Sequence, residues 1–198
     1  MGDIIKYGKF ESKGDNDLKR RIILCHTSRN IEEYLASLKY RYNKSYDKIP
    51  NYVVSRNGEI LELLPAGGYS NFFIKEDLNQ DSIVITLENL GWIEKKVFTN
   101  EYINWIGNIY NGEVYDKKWR DYFTWQPYTE IQLTKTSELC LMLLDNFNIR
   151  KRFIGHNTKV DDIEYFDGII TRSNLDSSYT DLSPAFNYQL FKRYIEYE

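Results

Sequence analysis

The chain has 198 residues, 28% of them charged and 42% hydrophobic, with a net charge of −3; this suits one folded domain and gives no electrostatic case for nucleic acid or an anionic membrane. Its two cysteines, Cys25 and Cys140, are too few for a disulfide framework. The start Met1-Gly2-Asp3-Ile4-Ile5-Lys6 has no apolar run long enough for a signal peptide or a membrane span, so the chain is expected to be made as a soluble cytoplasmic protein.

In chain order, Ile22 to Cys25 reads as a buried strand whose apolar run ends at His26. Asn30 caps a helix from Ile31 to Tyr40, with Ile31, Leu35 and Leu38 on one face. Tyr52 to Ser55 and Glu59 to Leu64 form a hairpin around Arg56-Asn57-Gly58. Ser82 to Glu88 is a further strand. A long helix is expected after Thr136-Ser137, running from Glu138 to Phe147 and capped by those hydroxyls. Arg152-Phe153-Ile154 reads as a short strand into His156, and Ala185 to Ile195 as an amphipathic helix. Loosely alternating strands and helices around an embedded hairpin predict an α/β fold. The expected domain spans 1–198, with a central mixed sheet flanked by helices, an aromatic insert at about 92–128 and a long loop at about 157–180.

His26 and His156 are the only histidines, and each ends a short apolar run. Imidazole at the mouth of a strand is a suitable zinc ligand, but a catalytic zinc needs three protein ligands and leaves a fourth position open. Cys25 lies next to His26 and so faces the opposite side of its strand. Asp181 stands just before the last helix and on its own reads as a helix-capping aspartate.

Five segments in order carry a family resemblance: Ile23-Leu24-Cys25-His26-Thr27-Ser28, Tyr52 to Ile60, Ser82 to Asn89, Gly155-His156-Asn157, and Thr180 to Tyr188. Together they resemble the zinc amidases that include N-acetylmuramoyl-L-alanine amidases, phage lysozyme-like amidases and peptidoglycan recognition proteins. The resemblance implies His26, His156 and Asp181 as ligands of a Zn2+ ion that activates water against the muramoyl–L-alanine amide. Two departures stand out. The central-strand glutamate of many members is Thr86 here, so Glu88 is the candidate acid/base. The lysine two residues before the last ligand is Tyr179, whose hydroxyl is the candidate oxyanion donor. Thr27, Arg172, Trp92 and Asn157 are the candidate substrate contacts.

The insert, with Trp92, Trp105, Trp119 and Trp125, can line a glycan-peptide groove, pack as a satellite core or dock onto a partner. The 157–180 loop can be a lid, an assembly contact or plain surface. The resemblance implies a peptidoglycan hydrolase, as a phage endolysin or a virion-associated lysin. The alternative is a degenerate relative that binds peptidoglycan or serves in the virion. Bacterial peptidoglycan and other virion proteins are the expected partners, with no nucleic acid and no membrane.

Overall fold

The computed structural model describes residues 3–8, 10–43, 48–158 and 162–197. The first half contains β1 (Ile4–Lys6), β2 (Gly14–Asp15), β3 (Arg21–His26), α1 (Ile31–Asn43), β4 (Tyr52–Val54), β5 (Ile60–Glu62), β6 (Gly68–Tyr69), α2 (Glu76–Gln80) and β7 (Ser82–Leu87). A second sheet follows, built from β8 (Trp92–Lys95), β9 (Tyr102–Asn104), β10 (Ile109–Tyr110), β11 (Tyr115–Trp119) and β12 (Tyr122–Trp125). The chain closes with α3 (Glu130–Asn146), β13 (Gly168–Thr171), α4 (Arg172–Leu175) and α5 (Tyr188–Tyr197).

The main sheet has the order β1-β5-β4-β7-β3-β13, and its one antiparallel pair is β4 with β5, the predicted hairpin. Gly58 closes that turn at φ +86°, a backbone setting that costs glycine little. Every residue of β3 and β7 is buried, as expected of central parallel strands covered on both faces. Alternation divides their side chains. Ile22, Leu24, Ile83, Ile85 and Leu87 pack with Leu139, Leu143, Phe191 and Ile195 of α3 and α5. Ile23, Cys25, Val84 and Ile170 face the other way, which confirms that Cys25 points away from the His26 side. Truncating a buried leucine of this layer, such as Leu143, costs about 2–5 kcal/mol.

Two expectations are corrected, and one segment left open by the sequence gains a structure. First, α3 begins at Glu130 and is capped by Thr129, whose side chain accepts the Gln132 N–H. Thr136 and Ser137 lie inside the helix, and their hydroxyls donate to the carbonyls of Gln132 and Leu133. Second, the aromatic insert is a five-stranded antiparallel sheet of order β10-β9-β8-β12-β11, with Ile93, Trp119 and Trp125 buried in it. Third, the 157–180 segment is not simply a loop. It contains β13, which pairs in parallel with β3 from Gly168↔Arg21 to Thr171↔Leu24. The expected strand into His156 is reduced to a single bridge from Phe153 to Ile169, on the outer side of β13. His156 therefore stands one strand further from His26 than an edge strand paired to β3 would place it.

Candidate functional site

In open α/β sheets, ligands gather at the carboxyl ends of the strands. Here β3 ends in His26 and β7 runs into Glu88 and Asn89. The turn after His26 is braced by Thr27. Its hydroxyl donates to the Arg29 carbonyl at 2.5 Å and accepts the Asn89 N–H at 3.1 Å. Gly91, at φ +77°, passes so close to the imidazole that a Cβ there would sit 2.8 Å from His26 Cε1. The Tyr128 hydroxyl lies 3.4 Å from His26 Nδ1. Burial lowers the His26 pKa to about 4, only partly offset by the charge of Asp181, so the ring is neutral at pH 7.

Asp181 is fully buried at the same strand end. Its carboxylate is held in a fork by Arg172, with Nε to Oδ1 at 3.0 Å and Nη2 to Oδ2 at 2.8 Å. Oδ2 also accepts the backbone N–H of His26 at 3.2 Å. Burial alone works against the Arg172 charge, but the Asp181 carboxylate facing it outweighs this and raises its pKa. The guanidinium also lies 4.2 Å above the Tyr179 ring.

His156 is placed differently. Its ring sits between Trp119 and Tyr188, at centroid separations of 4.5 and 4.8 Å. Among the described residues, its buried Nδ1 has no hydrogen-bond partner. Burial, with smaller contributions from Lys117 and Arg120, lowers its pKa to about 4 as well. Both imidazoles are thus in the neutral form that metals take. The placement nevertheless does not fit a three-ligand zinc. Zinc–nitrogen bonds are about 2.0–2.1 Å long, so ligand atoms of one site lie within roughly 4 Å of one another. Among the described residues, no group of three or more His, Cys, Asp or Glu side chains is placed to hold a metal ion.

A cleft of 270 Å³ opens beside His26, lined by Thr27, Ser28, Arg29, Tyr34, Ser37, Lys48, Phe72, Trp105, Arg172 and Tyr179. None of these is acidic, and Arg29 and Lys48 bring positive charge to the wall, while that of Arg172 is matched by Asp181. The structure therefore brings His26, Thr27, Arg172 and Tyr179 of the expected site together, with Asp181 behind Arg172. Trp92 and Asn157 do not line the cleft; Trp92 stacks on Tyr122 at 4.7 Å. Glu88 spends its carboxylate on backbone, accepting the N–H groups of Ile31 and Arg56. Thr86 keeps a buried hydroxyl with no partner. Arg29 and Lys48 were not among the expected site residues, whereas Trp105 was one of the insert aromatics expected to be able to line a groove. Trp105 is brought there by β9, its indole N–H donating to the Ser28 carbonyl and its ring lying under Arg29 at 5.0 Å.

A mixed sheet with a polar, aromatic cleft at the carboxyl end of its central strands defines a ligand-binding α/β domain of amidase architecture. Residues 16–166 match the N-acetylmuramoyl-L-alanine amidase family model, and the chain belongs to that family. Peptidoglycan amidase activity is what this membership supports. Solved structures of the same fold include the N-acetylmuramoyl-L-alanine amidase LysC from Clostridium intestinale URNW, 11% identical with a TM-score of 0.60, covering 97% of this chain and 96% of that one. The Staphylococcus aureus hydrolase AmiA, solved with its ligand, is 10% identical with a TM-score of 0.54, covering 89% of this chain and 68% of its own. AmiD from E. coli, in complex with anhydro-N-acetylmuramic acid-L-Ala-D-gamma-Glu-L-Lys, is 16% identical with a TM-score of 0.52, covering 94% and 61%. No curated protein matches the chain by sequence. The family match ends at Phe166, before β13, Arg172 and Asp181.

Proposed function

We propose that the chain acts on bacterial peptidoglycan, engaging the muramoyl–L-alanine amide at the cleft beside His26. The observation that carries this reading is the cleft itself, at the family's strand end and lined by Arg29, Arg172, Tyr179 and Trp105. Guanidinium groups suit the carboxylates of a stem peptide, and an indole face suits a sugar ring. Family membership favours cleavage of that amide. In its finer form this is a hydrolase with Tyr179 as oxyanion donor, working as a phage endolysin or virion-associated lysin; the zinc that the resemblance implies on His26, His156 and Asp181 does not fit the placement of those three residues. The neutral imidazole of His26 at the cleft speaks for this form. Recognition without turnover, in a wall-binding or virion protein, is the second form, favoured by the Arg172–Asp181 pair and by the engaged carboxylate of Glu88.

Purified sacculi incubated with the chain test the reading. Co-sedimentation is expected in both forms. Release of peptides with a free N-terminal L-alanine selects cleavage, and sedimentation without release selects recognition. A chain that neither sediments nor releases peptide overturns the proposal.

A further inference from the structure

We propose that Arg172 is the resident cation of this site: its guanidinium takes the charge position a metal would hold against Asp181, so the domain folds and keeps its cleft without zinc. The inference rests on the peptidoglycan reading only for what the cleft binds.

Because β13 occupies the edge of β3, the residues that follow Thr171 lie beside the end of β3, where an edge strand leading to His156 would otherwise run. Arg172 is the first of them. The fork–fork geometry leaves each Asp181 oxygen with a charged donor, and Oδ2 has a second hydrogen bond from His26 N–H. The Ser173 N–H donates to the Asp181 carbonyl at 2.8 Å, so the two segments are tied through backbone as well. A fully buried carboxylate requires a counter-charge, and here a side chain of the same chain supplies it. A zinc ion at Asp181 would have to share the carboxylate with the guanidinium already forked onto both of its oxygens, placing two cations against one buried anion. The third expected ligand, His156, is meanwhile packed between Trp119 and Tyr188.

The test uses metal analysis and thermal denaturation of the whole chain. After exposure to equimolar zinc and dialysis, the wild type is expected to retain less than about 0.1 zinc per chain, with a Tm unmoved by EDTA, because no preformed ligand set holds the ion. Stoichiometric zinc whose removal by EDTA lowers the Tm overturns the proposal. In a second arm, Arg172→Met should lower the Tm, and the double variant Arg172→Met, Asp181→Leu should recover part of that loss, since the orphaned charge is gone. A double variant no more stable than the single one also overturns it. Should Arg172→Met fail to fold, the wild-type metal and EDTA measurements still decide. A zinc-bearing chain that sediments with sacculi overturns this inference alone, whereas a zinc-free chain that ignores sacculi overturns the peptidoglycan reading instead.

Discussion

The carboxylate of Glu88 joins two backbone segments: one oxygen accepts the N–H of Ile31 at 3.0 Å and the other accepts the N–H of Arg56 at 2.9 Å. Ile31 opens α1 and Arg56 lies in the β4–β5 turn, so one side chain pins both to the end of β7. Hydrogen bonds to a charged acceptor contribute more than neutral ones, and a carboxylate at a helix N-terminus gains from the dipole.

Glu88→Ala should therefore destabilise the domain by about 2–3 kcal/mol, measured as a lower urea midpoint at an unchanged slope. Glu88→Gln that keeps full stability yet abolishes wall cleavage would restore an acid/base role.

Stability should fall as pH drops from about 6.5 towards 5. Both histidines have pKa values near 4 in the fold against 6.5 when unfolded, so the unfolded chain binds protons first in that window. Above 6.5 their contribution is fully present. The limiting slope is about 1.4 kcal/mol per pH unit for a fully buried histidine. His26→Gln should flatten the midpoint-versus-pH curve between 6.5 and 5; an unchanged curve would place the His26 ring in solvent.

Thr129→Ala should cost about 1 kcal/mol, the worth of an N-cap. The loss includes the Thr129 hydroxyl's bond to the Arg56 carbonyl at 2.7 Å, which ties α3 to the same hairpin turn. Equilibrium denaturation measures it, and a neutral result would mean that α3 begins elsewhere.

Trp105→Ala should weaken sedimentation with sacculi by roughly fivefold, since one aromatic contact is worth on the order of 1 kcal/mol. Trp92→Ala should lower the Tm and leave wall affinity intact, because its ring packs on Tyr122 rather than the cleft. Equal loss of affinity in both variants would point to a binding face spread over the second sheet.

The strands that form the core were readable because their residues repeat every two or run apolar without a break: Ile22 to Cys25, Tyr52 to Val54 and Ser82 to Leu87 are all buried. His26 was found at the end of one of them for the same reason. The start of α3 was hidden because Gln132, Thr136 and Ser137 are polar yet buried, their amide and hydroxyl donors taken by backbone carbonyls, so the apolar pattern fades over its first two turns. The second sheet escaped because β11 reads Tyr-Asp-Lys-Lys-Trp and buries only Trp119. Gly168-Ile169-Ile170-Thr171 carries a short apolar signal inside a charged segment, but nothing local shows that it displaces the His156 segment from β3. Edge competition between two candidate strands is a tertiary outcome. Asp181 on its own read as a helix cap and became a site residue only through the resemblance, and Arg172, nine residues earlier, was expected as a substrate contact rather than as its ion-pair partner.

The pairing of β13 with β3 joins segments separated by about 150 residues, a contact of the kind that slows folding. On the ribosome, at roughly 5–20 residues per second, the exposed edge of β3 waits on the order of ten to thirty seconds for its neighbour to be synthesised. During that interval the edge, with Ile-Ile-Leu-Cys at its centre, is open to the wrong strand from another nascent chain. Expression yield should therefore depend on temperature and translation rate far more than the finished domain's stability would suggest.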